Sequence, residues 1–469
     1  YQQALAIFEE LGDRAGMAAT YHQLGILAQR RGDYDTAHNR YEQSLHIKEE
    51  LGDRAGMATS HHQLGMLAQA RGDYDTAHNR YQQALAIFEE LGDRAGMAAS
   101  HHQLGILAQA RGDYDTAHNR YEQSLHIEEE LGDRAGMAAS HHQLGMLAQA
   151  RGDYDTAHNR YEQSLHIKEE LGDRAGMAAS HHQLGILAQA RGDYDTAHNL
   201  YEQSLHIEEE LGDRAGMANT YHQLGILAHD QSDYDTAHNR YQQALAIFEE
   251  LGDRAGMATS HHQLGMLAQA RGDYDTAHNR YQQALAIFEE LGDRAGMANT
   301  YHNLGILAHD QSDYDTAHNR YQQALAIFEE LGDRAGMAAT YHQLGILAQP
   351  GGDTPNNVLY FLEESFKYAE SIPATIQTTQ IVTSIGICAL QIDAIELAIK
   401  AFFWLLHTAL ANNEMTETLG VAIAGFRELY QSGYSTEVDS ALAPLFAKLP
   451  PKFAQQLRSL IETDDGDGD

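Results

Sequence analysis

The apolar and polar positions of residues 1–349 repeat with a fixed period of 40 residues. The string that begins at Tyr1 returns at Tyr41 and then at every fortieth position of this range. The copies differ at only a handful of positions, and the segment 53–98 is identical to the segment 253–298. A period of this length indicates an array of stacked units, in which each unit buries its apolar face against its neighbours.

Each 40-residue unit predicts two amphipathic helices, because its apolar residues fall on two stripes at helical spacing. The stripe of the first helix consists of Met17, Tyr21, Leu24 and Ala28. The stripe of the second helix consists of Tyr34, Ala37, Tyr41, Leu45 and Lys48. Since only short turns join the helices, neighbours must lie antiparallel, and neither helix can bury its stripe alone.

Pairs of glycine and aspartate mark the ends of these helices. Asp13 is expected to cap the first helix, and Gly32 and Asp33 are expected to end that helix and begin the second. Gly52 and Asp53 repeat the same pair. The turns are therefore predicted at the same two places in successive units.

The unit also carries a characteristic series of aromatic and small residues. These residues are Tyr21, Leu24, Gly25, Gly32, Tyr34, Ala37 and Tyr41. Their spacing resembles the signature of the tetratricopeptide repeat, although the family's usual period is about 34 residues and Glu49 replaces its usual proline. Both departures resemble the longer-helix subclass of kinesin light chains, Pins/LGN-type scaffolds and the C-terminal sensor arrays of bacterial STAND NTPases (MalT-like, NB-ARC and NACHT proteins). The string LGDRAGMA is most similar to the sensor arrays.

The resemblance implies an all-α fold, a right-handed α–α superhelix or TPR solenoid, over residues 1–349. A helical C-terminal cap is expected over residues 350–469, because the composition changes at Pro350. All six prolines, the single Trp and Cys and seven of the twelve Phe residues follow residue 349. The region is interpreted as degenerate repeats that pass into a capping module, since the last repeat of a solenoid needs a polar outer face. An independent ligand domain is the alternative.

The C-terminal region is expected to form about six helices. Their breaks are predicted near Pro373, Asp393, Asn413, Gly433 and Pro450. Four residues keep the spacing of the repeat signature, namely Ile385, Gly386, Ala398 and Phe402. The acidic residues 464–469 resemble the start of a calcium loop but lack the later glutamate that such a loop requires, so a frayed tail is expected.

The chain has 31 basic and 67 acidic side chains, which gives a formal net charge of −36. This balance argues against nucleic-acid and membrane partners, because nucleic acid and an anionic bilayer both attract a cationic face. No apolar stretch approaches the length of about 18 residues that a membrane helix needs. The single cysteine cannot form an internal disulfide, which favours a reducing, cytoplasmic location.

The 29 histidines raise the question of metal or acid–base chemistry. His101 and His102 are adjacent and diverge by about 100° around a helix, so they cannot chelate one ion. His118 and His126 lie about 12 Å apart along the helix axis, and no cysteine ligand is available. The sequence contains no phosphate loop, nucleophile elbow or Cys/His pair. We therefore expect no metal, no cofactor and no catalytic residue, and we do not expect an enzyme.

The same histidines suggest an effect of pH on net charge. If all 29 were protonated near pH 5, the charge would change from −36 to about −7. Self-repulsion would then fall, and the array is hypothesised to associate or compact on mild acidification.

The side of the first helix opposite its packed stripe is the candidate binding face. In tetratricopeptide arrays the first helices line a concave wall, so the resemblance places a ligand there. The predicted concave site comprises His22, Gln23, Ile26, Gln29, His62, Gln63, Met66, Gln69, His102, Gln103, Ile106, Gln109, His142, Gln143, Met146, His182, Gln183, Ile186, His222, Gln223 and Ile226. This wall is nearly neutral and lacks the Lys and Arg residues with which the family clamps a peptide carboxylate. The second helices expose glutamates and form an acidic convex wall.

The resemblance implies recognition of a protein or peptide ligand along this groove. Because the chain starts in mid-repeat and ends in a cap and an acidic tail, an NTPase or effector domain is expected upstream in the full-length chain. The array would then be the ligand-sensing part of a bacterial STAND-type signalling NTPase. A passive scaffold that resembles Pins or kinesin light chain is the alternative, and drift between duplicates is the alternative explanation for the variation among units.

Overall fold

The fold is described by a computed structural model, which covers residues 1–348, 355–411 and 416–462. These residues form 24 α-helices and no β-strand, so the predicted all-α class is confirmed. The predicted boundary at Pro350, the break near Asn413 and the acidic tail lie outside the described residues.

The described helices fall into two compact units, Tyr1–Gln231 and Ser232–Asp469. In the first unit the helices are α1 (Gln2–Leu11), α2 (Arg14–Arg30), α3 (Tyr34–Leu51), α4 (Arg54–Ala70), α5 (Tyr74–Leu91), α6 (Arg94–Ala110), α7 (Tyr114–Leu131), α8 (Arg134–Ala150), α9 (Tyr154–Leu171), α10 (Arg174–Ala190), α11 (Tyr194–Leu211) and α12 (Arg214–Asp230). In the second unit they are α13 (Tyr234–Leu251), α14 (Arg254–Ala270), α15 (Tyr274–Leu291), α16 (Arg294–Asp310), α17 (Tyr314–Leu331), α18 (Arg334–Ala348), α19 (Pro355–Ala369), α20 (Ile376–Gln391), α21 (Ile395–Ala411), α22 (Thr416–Gln431), α23 (Ser435–Phe446) and α24 (Pro451–Glu462). The division of the chain at residues 349 and 350 stays a prediction.

Within each unit, an even-numbered first helix and the odd-numbered second helix that follows it form one hairpin of the array. In the hairpin of α4 and α5, the buried side chains include Leu64 and Leu67 of the first helix and Tyr81 and Leu85 of the second. Each second helix also packs on the first helix of the next hairpin, as α3 does on α4. The buried residues therefore form a series of clusters, each of which joins one hairpin to the first helix of the next.

The caps of these helices agree with the predicted turns. The Asp53 carboxylate accepts a hydrogen bond from the backbone N–H of Gly56 at 2.9 Å, and the Asp73 carboxylate accepts one from Thr76 at 3.1 Å. Gly52 ends α3 in the left-handed region, with φ of 67°. This conformation favours glycine and turns the chain into the next first helix.

Close approach of the two helices in a hairpin depends on a glycine in the first helix. A Cβ atom at Gly105 would lie 2.6 Å from the ring of Tyr121, which is fully buried. The same contact recurs in the C-terminal region, where a Cβ atom at Gly386 would lie 2.9 Å from the ring of Phe402. This contact lies between α20 and α21, and the interpretation of the region as degenerate repeats stays a prediction.

One residue of the predicted second-helix stripe lies on the surface. Tyr34 is 37% exposed, because it is the first residue of α3 and lies beyond the packed part of the hairpin. Conversely, Ser44 and Ile47 are buried although the single stripe omitted them. A second helix contacts two first helices, so its buried face is wider than one stripe.

Ion pairs join the ends of neighbouring helices on the surface. Arg71, just after α4, contacts the Asp35 carboxylate of α3 at 2.6 Å, and Arg111 contacts Asp75 in the same way. Arg14 pairs with Glu50 across the hairpin of α2 and α3. Each exposed pair of this kind contributes only about 0–1 kcal/mol, so the pairs add modestly to the packing of the hairpins.

The junction between successive hairpins contains a buried position that changes along the chain. The residue is Phe at Phe8, Phe88, Phe248, Phe288 and Phe328, Lys at Lys48 and Lys168, and Glu at Glu128 and Glu208. The Lys48 ammonium donates to the Ser60 hydroxyl at 2.9 Å, and one Glu128 carboxylate oxygen accepts from Ser124 at 2.8 Å. Lys48 is 8% exposed and Glu128 is 5% exposed. Lys and Glu are therefore both buried at this position.

Burial at this junction disfavours the charged forms. It lowers the pKa of Lys48 and raises the pKa of Glu128. The second carboxylate oxygen of Glu128 has no hydrogen-bond partner among the described residues. Junctions with Phe carry no such penalty, and their second helices have Ala84 where the junction of Glu128 has Ser124.

We predict that the double substitution Ser124→Ala with Glu128→Phe raises the free energy of unfolding by about 1–3 kcal/mol. It replaces a buried carboxylate by the pair of residues that the chain itself uses at Ala84 and Phe88. Denaturant unfolding of the full chain measures the change. The reverse substitution Phe88→Glu should destabilise the chain. A lower denaturant midpoint for the Ser124→Ala, Glu128→Phe variant would contradict the prediction.

Candidate binding site on the first helices

The predicted site side chains form a row on successive first helices, here called the first-helix stripe. This row is distinct from the packed apolar stripe of the same helices, to which Leu24 and Ala28 belong. In α4 the stripe consists of His62, Gln63, Met66 and Gln69, and the other first helices contribute the corresponding positions. These side chains are half-buried throughout the predicted set, except that Gln23 is exposed. They are therefore partly covered by neighbouring helices and present only part of their surface to a ligand.

The stripe histidine packs on the buried tyrosine of the second helix. The ring centroids of His62 and Tyr81 lie 5.3 Å apart, and those of His142 and Tyr161 lie 5.5 Å apart. The Nδ1 atom of His62 is buried and has no hydrogen-bond partner among the described residues. This histidine is held by its ring contact, and its position depends on the tyrosine.

The last glutamine of the stripe is part of the fold. The Tyr81 hydroxyl donates to the Gln69 amide oxygen at 2.8 Å, and Tyr121 donates to Gln109 at 2.9 Å. By contrast, Gln63 and Gln143 form no side-chain hydrogen bond within the described residues. The predicted site therefore combines structural glutamines with glutamines whose amides are available to a ligand.

Behind the stripe, a second histidine connects the helices through an arginine that sequence reasoning missed. His141 Nδ1 lies 3.2 Å from the Arg160 guanidinium, which also donates to Glu122 at 2.6 Å. The sequence carried a signal for this arginine, because the residue recurs at the same position of every unit except one, where Leu200 replaces it. There the corresponding His181 has no hydrogen-bond partner for Nδ1 among the described residues.

The stripe is uncharged over most of its length. In α4, α6, α8, α10 and α14 its positions carry only His, Gln, Ile or Met. Carboxylates adjoin it at Asp230 and Asp310, and each accepts a hydrogen bond of 2.8 Å from the preceding hairpin's stripe glutamine, Gln189 or Gln269. The two carboxylates are thus engaged by neighbouring first helices within their own units.

Burial lowers the pKa of many histidines. The pKa of His101 and of His141 falls to about 4, because burial disfavours the imidazolium and a nearby arginine adds to the effect. Burial also lowers the pKa of His182 and of His262 to about 4. In all, the pKa is lowered for 16 of the 29 histidines.

The condition that all 29 histidines become protonated near pH 5 does not hold for these buried imidazoles. A buried imidazole with a pKa of about 4 stays mostly neutral at that pH. The net charge consequently does not reach about −7, and the argument for association or compaction on mild acidification loses its premise.

Two properties of the described residues concern metal binding and membrane crossing. Among the described residues, no group of three or more His, Cys, Asp or Glu side chains is placed to hold a metal ion. None of the helices in this part of the chain combines the length and the apolar character that crossing a bilayer requires.

The sequence model of the tetratricopeptide repeat family matches eight stretches of the chain. They are residues 1–50, 56–130, 97–170, 136–210, 176–250, 216–290, 256–330 and 296–355. Together with the stacked hairpins, this match shows that the chain belongs to the tetratricopeptide repeat family. Repeats of this family typically form protein-interaction scaffolds. Among curated proteins, none matches the chain.

Solved structures with similar folds include the apo form of RapI, which is 15% identical over 59% of this chain and 99% of RapI, with a TM-score of 0.50. Yeast Tom70 is 14% identical over 95% of each chain, with a TM-score of 0.49. BtubC (BKLC) from P. vanneervenii is 22% identical over 47% of this chain and 90% of BtubC, with a TM-score of 0.41. The likeness to RapI supports the repeat fold.

We predict that the folded chain loses stability as the pH falls from about 6.5 to about 4. In this window the buried histidines stay neutral in the folded state, whereas the histidines of the unfolded chain bind protons. Burial raises the pKa of Glu128 and of Glu208, which acts in the opposite direction, but only two groups contribute this effect. Denaturant midpoints at about pH 7.5 and about pH 5 measure the loss.

Substitution identifies the groups responsible. Replacing His101 and His141 by glutamine should narrow the difference between the two midpoints, because two groups that resist protonation are removed. His126→Gln controls for the loss of a histidine, since the His126 side chain is 70% exposed. A midpoint that is higher in acid than at neutral pH would contradict the prediction.

Proposed function

We propose that this chain is a protein- or peptide-binding repeat domain whose ligand contacts the first-helix stripe. The observation that carries the proposal is the uncharged row of imidazole, amide and apolar groups, repeated every 40 residues on the first helices. Amides can hydrogen-bond to an extended backbone, and Ile or Met can receive apolar side chains. The stripe thus offers the same pair of contacts in each hairpin.

The character of the stripe narrows the class of ligand. Because α4, α6, α8, α10 and α14 have no Lys or Arg in the stripe, a peptide's terminal carboxylate finds no cationic clamp there. Recognition would instead rest on the backbone and on apolar or neutral side chains. Such binding should depend only weakly on salt, since few charges are involved.

The finer proposal is that this chain is the ligand-sensing part of a larger bacterial signalling NTPase of the STAND class. It is supported by the near identity of the 40-residue units and by the string LGDRAGMA, which are similar to those sensor arrays. Ligand engagement on the array would then control an NTPase or effector domain elsewhere in the full-length chain. A strand followed by a phosphate loop upstream of Tyr1 would support this assignment.

A passive scaffold is the second candidate, and one observation favours it. The segments 53–98 and 253–298 are identical, so the two units present the same stripe residues from α4 and from α14. A partner that binds one segment would also bind the other, as expected of a scaffold that gathers copies of one partner. Further repeats alone upstream of Tyr1 would favour this candidate over the sensor.

The binding face can be tested by selecting peptides from a displayed random library against the full chain. We predict that the selected peptides lose about tenfold or more in affinity when Gln63 and Gln143 are both replaced by alanine. These glutamines have amides available to a ligand, so the fold should tolerate their loss. Binding is measured by titration of each labelled peptide.

The matched control replaces Gln83 and Gln163 by alanine, since these are exposed glutamines of the second helices. This variant should bind the selected peptides as the unchanged chain does. If the control variant lost affinity and the Gln63→Ala, Gln143→Ala variant did not, the first-helix stripe would not be the binding face.

A further inference from the structure

A pocket of about 750 Å³ lies among the C-terminal helices α19, α21 and α23. Its aromatic lining consists of Phe366, Phe403 and Trp404, and Leu397 extends this apolar surface. The volume is in the range of pockets that bind small molecules or peptide side chains. The pocket lies entirely in the second unit and is separate from the first-helix stripe described above.

The repeat register shows that two of these aromatic residues, Phe403 and Trp404, occupy positions that are polar elsewhere. Phe402 packs on Gly386 as Tyr41 packs on Gly25, so Phe402 occupies the position that Tyr41 has in the repeat. The next residue is Glu42 in the array and Phe403 in α21.

By the same register, Trp404 takes the place of Gln43, which is exposed in α3, and Trp404 is only half-buried. The outward face of this second helix has thus changed from polar to aromatic. Phe403 and Trp404 pack partly against the core that contains Ala398 and Phe402, and both also line the pocket.

The charges around the pocket are unequal. Glu363 lines it from α19 and Glu370 from the position just after that helix, and neither forms an ion pair within the described residues. The two lysines of the lining are occupied elsewhere. Lys367 bonds to Glu364 at 2.7 Å and Lys400 bonds to Glu396 at 2.8 Å.

Neither Glu364 nor Glu396 lines the pocket, so the lysines are neutralised from outside it. An excess of two carboxylates remains around an aromatic lining. The pKa of Lys400 is raised by its bond to Glu396 and further by the charges of Glu363 and Glu370, which agrees with a negative field at this rim.

We propose that this pocket receives an arginine side chain from a partner protein or peptide. A guanidinium stacks on an aromatic ring, and its N–H groups donate to carboxylates in a planar fork. Trp404 and Phe403 supply the rings, and Glu363 and Glu370 supply the acceptors. The pocket is larger than one guanidinium, so apolar neighbours of the arginine would contact Leu397 and Phe366.

Trp404 makes the proposal directly measurable, because it is the only tryptophan of the chain. The full chain is titrated with an acetylated and amidated Leu-Arg-Leu peptide, and tryptophan is excited where tyrosine does not absorb. We expect a saturable change in tryptophan fluorescence. The same peptide with citrulline, the neutral isostere of arginine, should bind with an affinity lower by about tenfold or more.

Two double variants test the carboxylates. Glu363→Gln with Glu370→Gln keeps the volume of the side chains and removes their charge. This variant should bind the arginine peptide about tenfold more weakly. Glu162→Gln with Glu169→Gln makes the same change at the corresponding positions of α9, outside the pocket. This control should leave binding unchanged.

Three outcomes would overturn the proposal. Equal binding of the arginine and citrulline peptides would remove the role of charge. Equal weakening by both double variants would assign the effect to overall charge instead of the pocket. Binding of agmatine, a free guanidinium compound, as tightly as the peptide would show that a partner segment is not required.

Discussion

The contact between a first-helix glycine and a second-helix tyrosine is the constraint on which each hairpin of the array depends. A Cβ atom at Gly65 would lie 2.7 Å from the ring of Tyr81, which is 0% exposed. With glycine, the two backbones approach closely enough for Leu64 and Leu67 to bury their side chains in the same layer. The cost of glycine within a helix, about 1 kcal/mol relative to alanine, is offset by this packing.

The same tyrosine also orders the candidate binding face. Its ring supports His62, and its hydroxyl holds the amide of Gln69 at 2.8 Å. Burial raises the pKa of the tyrosine, so this hydroxyl remains a hydrogen-bond donor. The face that we assign to ligand recognition is therefore partly built from groups that the hairpin core already fixes, which reduces the ordering that binding requires.

The fold could be predicted from the sequence because every unit carries the same local signals for its caps, turns and helix contacts. Asp53, Gly52 and the Gly65–Tyr81 pair each specify a cap, a turn or a contact within one hairpin. The candidate site was less accessible from the sequence, because helical periodicity does not specify how far its side chains are covered or that the Tyr81 hydroxyl bonds to Gln69. The recurrence of the arginine marked its position but not its partner, because the pairing of His141 with Arg160 joins residues 19 positions apart on two helices.

The glycine of this contact recurs in α18 and α20, where its partner is Leu362 or Phe402 instead of tyrosine. Positions around the contact vary along the chain as well. At the junction, Phe88 and Glu128 occupy equivalent positions of the repeat. The neighbouring residue changes with them, from Ala84 beside Phe88 to Ser124 beside Glu128. On the outward face, Gln43 and Trp404 are equivalent as well, and the hairpin core beneath them keeps its register. A repeat whose core is fixed by so few contacts can change its surface without changing its fold. The neutral first-helix stripe and the aromatic C-terminal pocket therefore lie on hairpins that share the same glycine contact and differ in their surface residues.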